Sequence, residues 1–215
     1  MPQITKISEQ KRQPNRRRVF LDGSFAFGCN LNVIARFRLR AGMTLSVEQV
    51  EQIEQGEVRQ GCVDDALKCL SRRLHSRAEL SRKLARRLYA PLMIGDVLDD
   101  LVRLGYVDDE RFARTKALSA AQNKHHGRRR ARIELLKAGV GEEVAEKALD
   151  AVYSERDSVA AVRQLASRHA ARLRRLDPLI ARRRLAGMLQ RRGFEYEAVK
   201  SVIDEFLGAT DPAVS

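Results

Sequence analysis

The sequence repeats one pattern three times, as Leu80-Ser-Arg-Lys-Leu84, Ala131-Arg-Ile-Glu-Leu135 and Leu185-Ala-Gly-Met-Leu189, at offsets of about 51 and 54 residues. The match continues downstream through apolar positions at helical spacing, among them Tyr89, Val140 and Phe194, then Leu98, Leu149 and Ile203. A repeat of this length is typical of stacked helical units, each too small to bury a sufficient core alone. The repeat therefore predicts an array of similar helical bundles.

Capping residues, glycine and proline divide each copy into three helices. In the first copy we expect helices to begin at Asp64 or Asp65, at Ser76 with Glu79 as a capping box, and at Pro91. In the second copy the boundaries fall at Asp108, Gly127 and Gly141, and in the third at Ser154, Asp177-Pro178 and Gly193. The fold class predicted is all-α, with three-helix repeats at 59–107, 108–153 and 154–208 in an elongated curved array. Residues 209–215 are expected to form a disordered tail.

The amino-terminal segment 1–58 has β-type alternation instead. Asp22-Gly23 between two short β-prone runs predicts a hairpin with a type I′ turn, and a strand at Ile4–Ile7 could pair with it. The basic stretch Lys11–Arg18 is expected to form an exposed loop. Two short helices should follow, at Leu31–Leu39 and at Val47–Gln55, the second capped by Ser46 and ended by Gly56.

The net charge favours a polyanionic partner. The 215 residues contain 41 Lys and Arg against 28 Asp and Glu, a formal net charge of +13. The second helices of the three repeats (78–88, 127–138, 178–192) carry +3, +4 and +5, whereas the third helices (94–104, 141–152, 195–206) carry −2, −3 and −3. Because the same sign recurs at the same place, the second helices could form a continuous basic strip in a stacked array.

This strip supplies the candidate residues for binding nucleic acid. Two sets of equivalent positions stand out, Arg77 with Arg128 and Arg182, and Arg86 with Lys137 and Arg191. The full predicted set is Arg77, Arg82, Arg86, Arg128, Arg129, Arg130, Arg132, Lys137, Arg182, Arg183, Arg184 and Arg191. The sequence has no Trp, and Tyr89, Phe112 and Phe194 fall on apolar positions or beside helix caps. We therefore expect binding to single- and double-stranded DNA without sequence specificity.

Catalytic chemistry has little support in the sequence. Asp99-Asp100 and Asp108-Asp109-Glu110 could in principle hold Mg²⁺ for a nuclease, but Asp108 and Asp109 stand at a helix start, where capping explains them better. The four histidines lack zinc-site spacing, and phosphate-loop and nucleophile-elbow motifs do not occur. No catalytic residue, metal or cofactor is predicted.

The sequence also indicates in which cellular compartment the protein is expected. No stretch approaches the ~18 apolar residues of a membrane span, and the first residues lack the apolar run of a signal peptide. We expect a cytoplasmic monomer in which Cys29, Cys62 and Cys69 are small buried apolar residues.

Several motifs resemble the RecX family of bacterial recombinase regulators. The most specific is Gly105-Tyr-Val-Asp-Asp-x-Arg-Phe-Ala113, preceded by Ser76-Arg-Ala-Glu-Leu80 and followed by Gly127-x-x-Arg130 and Glu134-Leu135. The resemblance covers about residues 60–207. It implies three tandem three-helix units and a non-enzymatic protein that binds the RecA recombinase, lies in the groove of its nucleoprotein filament, and limits filament growth, ATP turnover and strand exchange.

The sequence departs from this family at Leu88-Tyr89, where the first repeat often has a glycine after its second helix. Two other functions stay open at this point. One is a general DNA-binding protein with no protein partner, and the other is a metal-dependent nuclease using the carboxylates between Asp99 and Glu110.

Overall fold

The computed structural model describes residues 1–10, 13–154, 158–173 and 176–208. These residues contain three strands, β1 (Ile4–Glu9), β2 (Arg16–Leu21) and β3 (Ser24–Asn30). They also contain ten helices, α1 (Leu31–Phe37), α2 (Val47–Leu70), α3 (Arg77–Ala85), α4 (Pro91–Arg103), α5 (Asp109–Gln122), α6 (Arg128–Lys137), α7 (Glu142–Tyr153), α8 (Ser158–Leu173), α9 (Pro178–Arg191) and α10 (Tyr196–Leu207). The predicted tail at 209–215 lies outside the described residues, as do two residues of the basic loop, Lys11 and Arg12. None of the ten helices is long and apolar enough to span a bilayer.

The chain forms two compact units. Among the described residues, the first unit comprises those from Met1 to Leu74 and Leu80–Tyr106, and the second comprises His75–Glu79 and those from Val107 onward.

The first unit begins with the predicted hairpin, extended to a three-stranded antiparallel sheet in the order β1-β2-β3. Asp22 and Gly23 have φ values of 50° and 84°, the positive values that a type I′ turn requires. The prediction of a loop through Arg18 was wrong at its end, because β2 begins at Arg16. Strand pairing on both sides of β2 satisfies the backbone there, and Arg16 and Arg17 form ion pairs with Glu57 and Glu9 at 3.0 Å.

A single helix, α2, replaces the two helices that were predicted around Gly56. The ring of Phe37 packs so closely on Gly56 that a Cβ there would lie 2.8 Å from a ring carbon. This contact offsets the ~1 kcal/mol that glycine costs inside a helix, so the helix continues to Leu70. Asp65, predicted as a possible cap, lies inside α2, where it forms an ion pair with Arg87 and accepts a hydrogen bond from Tyr89 at 3.0 Å.

The apolar positions that align between the repeats form the cores of the bundles. The aligned pairs on the second helices are all buried, namely Leu80 and Leu84, Ala131 and Leu135, and Leu185 and Leu189. On the third helices, Leu98, Leu149 and Ile203 are buried as well. The prediction of repeated helical units is therefore confirmed by the packing.

Most of the predicted caps are present. Ser46 caps α2 in a complete capping box with Gln49, and Pro91 opens α4. The Asp108 side chain accepts a hydrogen bond from the Arg111 N–H at 2.9 Å, and the Ser76 hydroxyl accepts one from Glu79 at 3.1 Å. Of the three cysteines, Cys29 and Cys62 are buried as predicted, whereas Cys69 is partly exposed.

The departure at Leu88 produces local backbone strain. Gly139 and Gly193 end the second helices of the later repeats with φ values of 82° and 81°, and Leu88 takes the same left-handed conformation with a φ of 66°. A side chain in this region costs about 1–2 kcal/mol, and Leu88 is 92% exposed, so packing does not repay that cost.

We expect Leu88→Gly to stabilise the protein by about 0.5–1 kcal/mol, because glycine adopts the left-handed conformation without strain. The gain is smaller than the strain itself, because glycine also increases the conformational entropy of the unfolded chain. Thermal unfolding followed by circular dichroism should show a rise of a few degrees. The control is Leu92→Gly, at an exposed leucine within α4, which should lower the melting temperature. A fall for Leu88→Gly equal to that of the control would contradict the strain.

Candidate nucleic-acid interface

The predicted basic residues all lie on or next to the second helices of the repeats. Arg77 and Arg82 are on α3 and Arg86 follows it, while the remaining residues are distributed over α6 and α9. Arg77 belongs to the second unit, together with α6 and α9, whereas Arg82 and Arg86 belong to the first. The continuous strip through all three repeats stays a prediction, and the contacts within the second unit decide what its members do.

Two arginines of α6 are used inside their own repeat. Arg128 and Arg132 are four residues apart, so they share a helix face, and that face points to α7. Both hold Glu146 at 2.5 Å, Arg128 also contacts Asp150 at 2.9 Å, and Arg132 also pairs with Glu142. Hydrogen bonds from Arg132 keep the pKa of Glu146 below its usual value. Three of the acidic side chains of α7 are therefore paired with Arg128 and Arg132 of α6.

The same arrangement occurs in the third repeat. Arg182 of α9 forms an ion pair with Asp204 of α10 and donates a hydrogen bond to the Gly208 carbonyl. Arg182 is equivalent to Arg128 in the repeat alignment, and Asp204 is equivalent to Asp150, with 22 residues between the partners in both copies. Because the pair recurs at equivalent positions, it is a structural feature of the repeat that joins its second and third helices.

The neighbouring arginines face away from these carboxylates. Arg129 and Arg130 follow Arg128 by about 100° and 200° around the helix, and Arg183 and Arg184 follow Arg182 in the same way. All four are exposed. Within the described residues, only Arg130 has a carboxylate near it, Glu134 at a loose 3.7 Å. At the equivalent positions the first repeat has Ala78 and Glu79, so this exposed pair occurs only in the second and third repeats.

The end of α9 lies directly against the start of α6. The Gly127 N–H donates a hydrogen bond to the Arg192 carbonyl at 2.8 Å, and a Cβ on Gly193 would lie 2.9 Å from the Arg130 Cα. Arg191 is exposed at this end of α9 and, with Ile180, Arg183 and Arg184, lines a recess of about 590 Å³. We call the five exposed residues Arg129, Arg130, Arg183, Arg184 and Arg191 the α6–α9 arginine surface.

Such a surface is chemically suited to phosphate groups. Each guanidinium is always charged and offers a planar set of donors that matches two phosphate oxygens. Arginines that already hold carboxylates, such as Arg128, would have to break those pairs to bind phosphate. The arginine surface therefore offers phosphate sites at a lower cost than Arg128, Arg132 and Arg182, which are already paired.

Three of the carboxylates considered for a nuclease have other partners. Asp100 pairs with Arg59 and with Arg103, Asp108 caps α5, and Asp109 accepts a hydrogen bond from the Arg77 N–H at 2.8 Å. Among the described residues, no three His, Cys, Asp or Glu side chains are grouped so that they could hold a metal ion. The described part of the chain thus offers no assembled centre for metal-dependent hydrolysis.

Comparison with family models identifies the amino-terminal segment and each of the three repeats. The RecX N-terminal domain matches residues 2–46, and the first, second and third RecX three-helix domains match residues 62–101, 108–149 and 155–203. The chain belongs to the RecX family. Its three repeats are thus the three-helix domains of RecX, and its sheet is part of the RecX N-terminal domain.

Relatives named regulatory protein RecX support this assignment over nearly the whole chain. The protein from Chlorobium limicola is 36% identical over 138 residues, which cover 64% of this chain and 84% of the relative. RecX from Bacillus subtilis (strain 168) is 29% identical over 210 residues, which cover 95% of this chain and 77% of the relative. RecX from Caldanaerobacter subterraneus is 27% identical and covers 94% and 98%.

Solved RecX structures share the fold. A crystal structure of regulatory protein RecX superposes with a TM-score of 0.77 at 22% identity, covering 95% of this chain and all of that one. RecX from Lactobacillus salivarius gives a TM-score of 0.61 at 21% identity, covering 70% and 97%. At these identities the likeness concerns the fold alone.

Proposed function

We propose that this RecX protein binds the nucleoprotein filament of the RecA recombinase in its groove and limits filament growth, ATP turnover and strand exchange. Membership of a family of regulatory proteins supports a regulatory role. The proposed role is non-enzymatic, because the protein would act by occupying the filament. Regulation would take place in the cytoplasm, where such filaments form.

The observation that favours this function most is the recurrence of the α6–α9 arginine surface. Arg129 and Arg130 of one repeat are matched by Arg183 and Arg184 of the next, and none of them is held by a close ion pair among the described residues. A filament presents phosphates and subunits at regular intervals. A rigid repeat that presents several weak contacts at fixed spacing gains affinity for such a polymer through multivalency.

The proposal also separates the predicted basic residues into two roles. The α6–α9 arginine surface would contact the filament, whereas Arg128, Arg132 and Arg182 would hold the third helices in place. Arg77, Arg82, Arg86 and Lys137 stay candidates from the repeat pattern. No base-reading contact is assigned, so binding would not depend on DNA sequence.

The function can be tested with the ATPase activity of the recombinase on single-stranded DNA, titrated with this protein at two salt concentrations. The test variant changes Arg129, Arg130, Arg183 and Arg184 together to Gln. We expect the concentration for half-inhibition to rise tenfold or more at moderate salt. The slope of log affinity against log salt should flatten by about 3, from ~0.7–0.9 per lost phosphate contact.

The matched control removes the same charge from elsewhere, by changing the exposed Arg40, Arg72, Arg111 and Arg114 to Gln. This control should inhibit nearly as well as the wild type. Equal loss in both variants would mean that net charge alone matters and would contradict the assigned surface. Equal inhibition of an unrelated DNA-dependent ATPase by the wild type would favour a general DNA-binding protein instead.

A further inference from the structure

The amino-terminal sheet has an outward face that does not pack on the core of the first unit. In the register of the sheet, Lys6 lies opposite Phe20 and Phe20 lies opposite Phe25, so these three side chains form one row across the strands. Arg18 is two residues before Phe20 on β2 and therefore points to the same face. The other face, with residues such as Val19 and Cys29, packs into the core of the first unit.

Two aromatic rings are displayed on this outward face. Phe20 and Phe25 meet edge to face, with their centroids 6.0 Å apart and their planes at 77°. Phe25 is nevertheless 59% exposed, whereas phenylalanine is usually buried. An edge-to-face pair leaves a ring face open for a planar ligand.

The cations beside the rings are also available. Of the three consecutive arginines in β2, Arg16 pairs with Glu57 and Arg17 pairs with Glu9, both at 3.0 Å. Arg18 and Lys6 are exposed, and neither has an ion pair within the described residues. The face thus combines a pair of aromatic rings with two positive charges. Within the described residues, no acidic side chain lies in the row formed by Lys6, Phe20 and Phe25.

We propose that this face binds single-stranded DNA, with a base stacked on Phe25 beside Phe20 and with Lys6 and Arg18 holding the adjoining phosphates. Aromatic rings on a positively charged surface are the combination that single strands require, because each base has a π face and each linkage has a charge. In a duplex the base faces are already stacked on one another, so the rings would have no ligand. The proposal goes beyond the filament contact above, because it uses no residue of the second helices.

Direct binding tests the aromatic part. A fluorescent oligothymidylate of about 15 nucleotides, near the upper limit of the ~4–16 nucleotides that one single-strand-binding fold covers, is titrated with the full chain and followed by anisotropy. Phe25→Ala should weaken binding about 5- to 150-fold, the range found for the loss of one stacked base. The control Val47→Ala removes an exposed apolar side chain from α2 of the same unit and should leave binding unchanged.

The absence of tryptophan provides a second readout. Phe25→Trp introduces the sole tryptophan of the chain and keeps an aromatic ring at the site. Its emission should be quenched as the oligothymidylate saturates the protein, with affinity close to that of the wild type. Unchanged emission at saturation would overturn the proposal, even if the protein binds the strand elsewhere.

Salt dependence tests the charged part. Changing both Lys6 and Arg18 to Gln should flatten the slope of log affinity against log salt by about 1.4, from ~0.7 per phosphate of a single strand. The control changes Arg40 and Arg72 to Gln and should not alter the slope. Phe25→Ala and the wild type should bind duplex DNA equally well. If Phe25→Ala weakened the binding of duplex DNA as much as that of the single strand, base stacking on Phe25 would be overturned.

These outcomes are separable from those of the filament test. If Phe25→Ala binds single strands as the wild type does, the sheet proposal fails while the α6–α9 arginine surface is untouched. If the wild-type protein does not inhibit the recombinase, the proposed function fails, while quenching of Phe25→Trp still supports the sheet site. If the four-arginine variant inhibits normally, only the assignment of the α6–α9 arginine surface fails. Quenching by oligouridylate alone, with no response to the DNA strand, would overturn the choice of DNA.

Discussion

Replacing Gly127 with alanine is expected to destabilise the second unit by about 3 kcal/mol. A Cβ at this position would overlap the Gly193 carbonyl group and lie 2.7 Å from the Phe194 nitrogen. Both obstacles are backbone, so no side-chain rotation relieves them, and overpacking of this kind costs ~1–3 kcal/mol or more. The hydrogen bond from Gly127 to Arg192, worth ~0.5–1.5 kcal/mol, should be lost as well.

Gly193→Ala should cost still more, about 4 kcal/mol. Its Cβ would meet the backbone of Arg130, and alanine would also have to adopt the positive φ of 81° at a further ~1–2 kcal/mol. Urea denaturation followed by far-ultraviolet circular dichroism measures both variants. Hydrogen exchange should show the loss of protection concentrated in the second unit, with α4 of the first unit unaffected.

Two other glycines separate the effect of steric overlap from that of the positive φ. Gly95 lies inside α4 with nothing within 4 Å of its Cβ position, so Gly95→Ala should stabilise the protein by up to ~1 kcal/mol. Gly105 has a φ of 74° and equally open surroundings, so Gly105→Ala reports the cost of the conformation alone. If Gly127→Ala were as stable as Gly95→Ala, the close approach of the second and third repeats would be wrong.

The sequence predicted the repeated helices well because their signals are local. Caps such as Ser46 and Asp108 act within one turn, and the burial of Leu84, Leu135 and Leu189 follows from helical spacing. The continuation of α2 through Gly56 could not be predicted in this way. It depends on Phe37, 19 residues earlier in the chain, packing on the glycine, and this is a tertiary contact.

The charge pattern of the candidate site was only partly predictable. The excess of positive charge on the second helices and of negative charge on the third can be read from the sequence, but the pairing between them depends on packing. A signal was nevertheless present, because an arginine precedes an aspartate by 22 residues in both later repeats. Equivalent opposite charges at a fixed separation indicate a contact inside the repeat, and they would have removed Arg128 and Arg182 from the set of exposed candidates.

The aromatic face of the sheet was missed for a different reason. In the sequence, Tyr89, Phe112 and Phe194 fall on apolar positions or beside helix caps, and no aromatic residues are interleaved with the basic residues of the second helices. The alternation of Arg18 and Phe20 along one strand places a cation and a ring on the same face. Whether that face points outward or inward depends on which side of the sheet packs on the core of the first unit, and this could not be read from the strand itself.

The attachment of this sheet to α2 depends on Glu57, which we expect to be the most sensitive polar residue of the first unit. Its carboxylate is only 16% exposed, accepts the buried N–H of Asn30, and pairs with Arg16 at 3.0 Å. Glu57→Ala would leave the buried Asn30 N–H unsatisfied and would remove the carboxylate partner of Arg16, which keeps its hydrogen bond to the Gly28 carbonyl. A loss of ~1–3 kcal/mol for the buried N–H and of ~0–1 kcal/mol for the partly exposed ion pair predicts a total of about 2–3 kcal/mol in urea denaturation.

The thiol of Cys29 gives this prediction a local readout. Burial, with a smaller contribution from Glu57, raises the pKa of Cys29 to about 12, so the native thiol is neutral at pH 8 and reacts poorly with iodoacetamide. Glu57→Ala removes the negative charge and loosens the covering helix, and both changes increase the reactive thiolate. Mass spectrometry of labelled peptides should therefore show faster modification of Cys29. Glu54→Ala, at an exposed position on the same helix, should alter stability by less than ~0.5 kcal/mol and leave labelling unchanged. If Glu57→Ala behaved like that control in both measurements, the sheet would be held to α2 by its apolar core alone.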